Sequence, residues 1–590
     1  MRIKDALANL HKQHEEDALV KLTTIWGEKI KKDNIWQEYP RPQMQREDYH
    51  ILNGEWDYAI LPRDVEFEKQ GEILVPFSPE AALSGVERQL KPNDFLWYEK
   101  KFEFTNVEME RKNKNERCIL HFDAVDQSAT VFINDMELAS HNGGYFPFEV
   151  DITEHIAETP CVLRVKVQDV SDTSYHSRGK QTLKRGGMFY TAQSGIWQSV
   201  WYEWVPEKYV NAMKITPNYD DASVTIEVES QGEFEDLNVE LLNSEEKYEV
   251  VRQGNRLIIR FAGKAFQSWS PEAPYLYKFT LKADDDHIQS YFAMRSFTVE
   301  KDEKGIPRFC LNHKPYFLNG ILDQGYWPDG LMTAPSDEAF VYDIELAKNT
   351  GFNMIRKHIK IEPLRWYYHC DRLGMIVWQD MVNGGTKYNM PFVCYLPTVL
   401  PWIGKKMKDN LYCMFSRKSE QGRKEWEEEC RATVRHLYNV PSISTWVPFN
   451  EAWGQFDAAR IANEVKKQDK TRTVDHASGW FDQEAGDFRS VHNYFRKLKV
   501  ERDANRAFVI SEYGGYACHI KGHSSVERIF GYKKFDSSED VSEAYKKLYE
   551  GEVCPLIEEG LSGVVYTQLS DIEEEVNGLV TYDRKIVKIK

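Results

Sequence analysis

At 590 residues the chain is too long for one hydrophobic core, and roughly three to five domains are expected. A net charge of −17 argues against a nucleic-acid partner, since phosphate binding wants a basic surface. No apolar run is long enough to span a membrane and the polar start lacks a signal-peptide core, so a cytoplasmic protein is expected.

Residues 1–24 read as an amphipathic helix, and Pro40 and Pro42 force an extended lead-in up to residue 47. From 48 to 205 alternating apolar runs, such as 118–122, 129–133 and 162–167, are separated by Asn, Asp and Gly turns, which predicts a β-sandwich of the jelly-roll kind. A second set of short strands over 206–299 fits a small immunoglobulin-like sandwich. After residue 300 apolar runs alternate with helical segments. Candidate strands fall at 316–320, 353–356, 375–378, 443–449, 472–475, 490–493, 508–511 and 563–569, the count of a (β/α)8 barrel, or TIM barrel, over 300–590. Helices are expected at 337–350, 363–372 and 421–438, and the long aromatic loop 381–420 is expected to shape a site. What covers the barrel after the eighth strand is not evident, because only about twenty residues follow it.

The nine cysteines are scattered, odd in number and form no CxxC pair, so neither a disulfide framework nor a zinc knuckle is indicated. Cys518, His519 and His523 lack a fourth ligand, and no metal or other cofactor is expected. The chemistry lies at the strand ends. The fourth strand stops at Asn450-Glu451 and the seventh at Ser511-Glu512-Tyr513-Gly514-Gly515, two carboxylates aimed into one barrel mouth. Such a pair is the minimal apparatus for glycoside hydrolysis, one acid to protonate the leaving oxygen and one to attack the anomeric carbon. The 16 tryptophans and 31 tyrosines suit stacking on sugar faces, although sandwich cores use them as well.

Asn450-Glu451 and Ser511-Glu512-Tyr513-Gly514 resemble the acid/base and nucleophile motifs of glycoside hydrolase family two. Leu52-Asn53-Gly54-Glu55-Trp56, Ser194-Gly195-Ile196-Trp197-Gln198, Leu318-Asn319-Gly320 and Asn353-Met354-Ile355-Arg356 resemble that family in the same order, so the likeness runs from about residue 35 to 590. The resemblance implies a retaining exo-β-glycosidase, with Glu451 as general acid/base and Glu512 as nucleophile. It further implies Asn450 on the sugar 2-hydroxyl, Tyr494 donating to Glu512, and Arg356 beneath the nucleophile keeping it ionised. His358 is a sugar contact, Tyr566 a stacking platform, and Asp172 a carboxylate sent in from the sandwich. The loop 172–181 is expected to close the pocket. The magnesium cage of the large β-galactosidases is incomplete at Trp378-Gln379-Asp380-Met381. β-Galactosidase-like activity on a small glycoside or oligosaccharide comes first; β-glucuronidase, β-mannosidase, arabinosidase and a non-catalytic carbohydrate-binding protein stay open, as does a homo-oligomer.

Overall fold

The computed structural model describes residues 18–62, 64–156, 160–400, 404 and 407–589. The expected N-terminal helix falls largely outside these; residues 18–24, which lie inside, carry no helix. The lead-in is a run of turns and not the extended chain expected, with the Met44 N–H closing a turn onto the Arg41 carbonyl at 2.8 Å, and it ties the chain together. Arg46 donates to Asp286 at 2.8 Å and to Glu203 at 3.1 Å, while Thr24 donates to Asp329 at 2.7 Å.

The first body is an antiparallel sandwich of a four-stranded and a six-stranded sheet. Cys161–Gln168 shows why: Cys161, Leu163, Val165 and Val167 are buried while their neighbours alternate outward, the period of a half-buried strand. A second sandwich follows, with sheets of four and three strands spanning Tyr209–Asn218 to Asp286–Phe292.

A hairpin, Phe297–Lys301 and Pro307–Leu311, then packs Phe297 and Phe309 into the floor of a parallel barrel. The barrel strands are β1 (Leu318–Asp323), β2 (Met354–Lys357), β3 (Ile376–Asp380), β4 (Ile443–Val447), β5 (Thr473–Val474), β6 (Phe488–Asn493), β7 (Ala507–Gly514) and β8 (Leu561–Thr567). Their order is β5-β4-β3-β2-β1-β8-β7-β6. Between β5 and β6 a side chain takes the place of a ladder: the Val474 N–H donates to the Asp487 carboxylate and the Asp487 N–H to the Val474 carbonyl, both at 2.8 Å.

The helices are α1 (Asp337–Asn349), α2 (Leu364–Leu373), α3 (Glu420–His436), α4 (Ala458–Gln468) and α5 (Ser538–Leu548), the last continued by Cys554–Glu559. Among the described residues no helix joins β5 to β6 or β6 to β7. After β8 the chain folds back across the barrel mouth: the Leu569 N–H reaches the Leu322 carbonyl at 2.8 Å and the Leu579 N–H the Gln568 carbonyl at 2.8 Å. It then wedges between two helices. Arg584 pairs with Asp343 of α1 at 3.0 Å, and Ser542 of α5 donates to the Lys588 carbonyl at 3.2 Å. This segment occupies the side of the barrel for which no eighth helix was evident.

Candidate active site

Strand alternation builds most of the site. On β2, Met354 packs inside the barrel, Ile355 outside, and Arg356 inside again; His358 continues the inward row. On β3, Trp378 and Asp380 point inward while Gln379 faces Tyr367 of α2. On β6, Ser490, His492 and Tyr494 share the inner face. β7 departs from alternation. Its register against β6 slips between Val491 and His492, so that His492 pairs with Glu512 while Val491 pairs with Ile510. The extra residue turns the consecutive Ser511 and Glu512 both inward, as a β-bulge does beside a functional group.

Glu451 follows β4 in a left-handed conformation, φ +48°, and Ala452 adopts φ +64°. For non-glycine residues this stores about 1–3 kcal/mol each, held here by the Glu451 N–H bond to the Ser478 carbonyl at 2.9 Å. The carboxylates converge: ligating atoms of Glu451, His492 and Glu512 all lie within 4.8 Å of one another. Arg356, fully buried, donates to Glu512 at 3.2 Å, to the Asn450 side-chain oxygen at 2.8 Å and to Asp380 at 2.9 and 3.0 Å. Tyr494 donates to Glu512, lies 3.1 Å from the Thr567 hydroxyl and stacks flat on Tyr532, centroids 3.7 Å apart. His358 meets Asp380 at 2.8 Å.

Burial pushes Glu451 up to about 7; Lys180 and Arg356 pull the other way and Glu575 adds to the rise. Burial also raises Glu512, against the pull of His492, Arg356 and Tyr494. The expectation that Arg356 and Tyr494 hold Glu512 low is therefore corrected, because desolvation outweighs both partners. His492 is pushed down to about 4 by burial and is neutral.

Two expected residues lie elsewhere in their surroundings. Tyr566 falls between the inward Val565 and Thr567, so period two sends it outward, where its ring meets Tyr545 of α5 at 4.9 Å. It is a packing residue and not a platform in the mouth. Asp172 accepts from the Thr182 hydroxyl at 2.9 Å and the Leu183 N–H at 3.2 Å, so its carboxylate is committed to its own loop. The loop does reach the barrel, but farther along: Ser177 bridges Gly384, and the Arg178 and Gly179 N–H groups donate to the Asn383 carbonyl at 2.9 and 3.0 Å. The residue it delivers is Lys180, whose ammonium lies 5.5 Å from the Trp453 ring centre.

Sequence reasoning missed Lys180, His492, Asp380, Trp453, Tyr532 and Glu575. His492 was legible, two residues before Tyr494 on one strand face; Lys180 carried no signal. Glu575 comes from the segment after β8, where Glu573, Glu574 and Glu575 each engage residues of 185–191 in the first sandwich: Glu573 accepts from the Thr191 N–H at 3.1 Å, Glu574 from the Gly187 N–H at 2.7 Å, and Glu575 from the Tyr190 hydroxyl. Tyr388 of the 381–420 loop packs 6.0 Å from Trp453. The Asn450 amide nitrogen, the Trp453 and Trp480 ring nitrogens and the Tyr388 hydroxyl are buried donors without partners among the described residues, which a polyhydroxylated ligand would satisfy. Glu451, His492 and Glu512 are also the only trio of metal-capable side chains among the described residues, whereas His523 is paired with Asp583 at 2.7 Å. Among the described residues no helix is long and apolar enough to cross a membrane.

Comparison with known proteins gives the family. Residues 49–206 match the sugar binding domain of glycosyl hydrolases family 2, residues 208–295 match the family's own description, Glycosyl hydrolases family 2, and residues 304–535 match its TIM barrel domain. The chain belongs to glycosyl hydrolases family 2. It is 22% identical over 517 residues to a β-galactosidase of Thermoanaerobacter pseudethanolicus, covering 82% of this chain and 63% of that protein. It is 24% identical over 477 residues to a putative β-glucuronidase of Formosa agariphila, covering 72% and 51%. The chain thus spans between half and two thirds of the length of these relatives. Among solved structures, a β-D-glucuronidase for Dictyoglomus thermophilum superposes with a TM-score of 0.70 at 17% identity, covering 93% of this chain and 97% of that one. That likeness shows the shared fold.

Proposed function

We propose that this member of the family is a retaining exo-β-glycosidase working by double displacement, with β-galactosidase-like specificity. The observation that carries it is the approach of Glu451 to Glu512: one oxygen of each carboxylate lies within 4.8 Å of the other, a closeness that suits the roughly 5–5.5 Å between carboxyl groups of retaining enzymes better than the roughly 6.5–9.5 Å of inverting ones. Glu451, half protonated near neutrality, passes its proton to the glycosidic oxygen as the bond to the anomeric carbon breaks, and that electron pair stays on oxygen. Glu512 attacks the anomeric carbon and forms a glycosyl ester, its charge steadied until then by Arg356 and Tyr494. Neutralising Glu512 lowers the proton affinity of Glu451, which then takes a proton from the attacking water. Asn450, oriented by Arg356, offers its free amide N–H to the sugar 2-hydroxyl.

A β-glucuronidase is the second reading, favoured by the Lys180 ammonium beside Trp453, which suits a uronic carboxylate. The test is a panel of p-nitrophenyl β-galactoside, β-glucuronide, β-mannoside and α-arabinoside. Turnover of the galactoside first supports the proposal, and preference for the glucuronide replaces it with the second reading. Binding without turnover of any of them leaves a carbohydrate-binding protein.

A further inference from the structure

We propose that His492 is a positioning residue whose tautomer is fixed by a chain of serine hydroxyls, so that its bare Nδ1 holds Glu451 in the protonated form that serves the leaving group. The inference rests on reading Glu451 as the acid/base. His492 is the one hydrogen-bond partner of the Glu451 carboxyl among the described residues, with Nδ1 2.7 Å from Oε1. The same nitrogen is 3.5 Å from Glu512, and Nε2 is 3.0 Å from the Ser478 hydroxyl. Ser478 donates its single hydrogen to the Ser511 oxygen at 2.8 Å, and Ser511 stands 2.6 Å from the Ser490 hydroxyl. With that hydrogen spent, the Ser478 oxygen can only accept from the ring, so Nε2 must carry the hydrogen. A neutral imidazole has one, and Nδ1 is therefore a lone pair. A lone pair 2.7 Å from a carboxylate oxygen is repulsive unless a proton lies between them, and the proton has to belong to Glu451.

The ring cannot swing away to relieve this. Gly479, at φ +97°, lies beneath it, and a Cβ there would come within 2.8 Å of Nδ1; the Trp480 ring meets it edge-on at 5.4 Å. The charged groups around Glu451 do not settle its state: Arg356 from β2 and Lys180 from the first sandwich favour the anion, while Glu512 from β7 and Glu575 from the last segment favour the acid. Asp380 from β3 is taken up by Arg356 and His358, which is itself kept neutral by burial, and the Tyr494 and Tyr532 hydroxyls stay protonated. The hydrogen bond to His492 tips the balance. Once Glu451 has given its proton to the leaving oxygen, the Nδ1 lone pair faces an anion, which favours recovery of a proton from water and closes the cycle.

The test is a two-bond proton–nitrogen correlation spectrum of the whole chain labelled with ¹⁵N-histidine, recorded at pH 6, with the His492 signals assigned by their loss in His492→Gln. The expected result is a protonated Nε2 and an unprotonated Nδ1. Ser478→Ala should admit the Nδ1–H tautomer and move the basic limb of kcat/KM down by about one pH unit, measured with whichever p-nitrophenyl glycoside the panel shows to be turned over. Ser478→Thr, which keeps the hydroxyl, should restore both. A merely structural role for the serine would lower kcat at every pH without moving the limb, and that result overturns the proposal, as does an Nδ1–H signal in the native protein. Glu451→Gln separates the two readings. If it is inactive while Nδ1–H is found, only the tautomer assignment fails; if it keeps full activity on unactivated glycosides, the acid reading fails and takes this inference with it.

Discussion

Lys180 belongs to the first sandwich, yet its ammonium lies 5.5 Å from the ring centre of Trp453, two residues past Glu451 on the barrel. Its charge favours the Glu451 carboxylate. Lys180→Met keeps the apolar stem and removes the charge, so Glu451 should titrate higher and the basic limb of kcat/KM should move up. This is opposite in direction to the effect expected of Ser478→Ala. On the β-glucuronidase reading, in which Lys180 meets a uronic carboxylate, kcat/KM on the glucuronide should also fall by about 10–100-fold. A pH–rate profile of the variant reads both effects.

Arg356 is the electrostatic keystone of the floor, paired with Asp380 and Glu512 with no exposure to water. Arg356→Met strands the Asp380 carboxylate in the barrel. A stability loss of about 3–5 kcal/mol is expected from an uncompensated buried charge. Denaturant unfolding should show it as a lowered midpoint, together with loss of turnover. Arg356→Lys should recover part of the stability but not the orientation of Asn450, because an ammonium lacks the planar fork.

Asp172→Ala should leave kcat/KM within a few-fold of the parent. Both of its oxygens serve its own loop, at Thr182 and Leu183, so the expected cost is about 1 kcal/mol of stability. Steady-state kinetics beside a melting curve distinguish this from a sugar contact, which would lose transition-state stabilisation with no change in melting.

Stability should fall as pH rises from about 5 to 8. Burial pushes Glu80 up to about 8, and Asp123, Glu429 and Glu573 each to about 7. In that window the folded chain retains protons that the unfolded chain has released, so unfolding gives protons up and is favoured by higher pH. On the acid side the sign reverses. Burial opposes it, yet Arg365 and His369 hold Asp337 down to about 2, and Arg472 likewise holds Asp469 at about 2; their contribution is lost progressively as pH falls from about 4 to about 2. Melting temperature against pH should therefore peak near pH 5, and a maximum at pH 8 would contradict the burial of these acids.

Most of the eight barrel strands were legible as short apolar runs, β5 and β6 being more polar, and the two glutamates because each ends such a run at the mouth. Arg356 and His358 were named through the family resemblance, and alternation along β2 is why both face inward. The same rule, applied to β8, would have excluded Tyr566, since Thr567 beside it faces Tyr494. Glu512 could not be placed by alternation at all, because the slip in β7 aims two consecutive residues inward. Lys180 and Glu575 were hidden for another reason: each is carried by irregular backbone and placed by contacts between distant segments, Lys180 by residues 177–179 bonding Asn383 and Gly384, and Glu575 by the packing of residues 187–191 against the last segment. Asp172 misled because its loop does reach the barrel, but through residues 177–180.

The central claim is that Glu512 attacks the sugar directly, and the stereochemistry of the first-formed product tests it most directly. Proton NMR during hydrolysis of the aryl β-glycoside identified by the panel should show the β-anomer of the free sugar first, with the α-anomer growing in only through mutarotation. An α-anomer appearing first would mean that water, and not Glu512, attacks the anomeric carbon, and the double-displacement account would be contradicted.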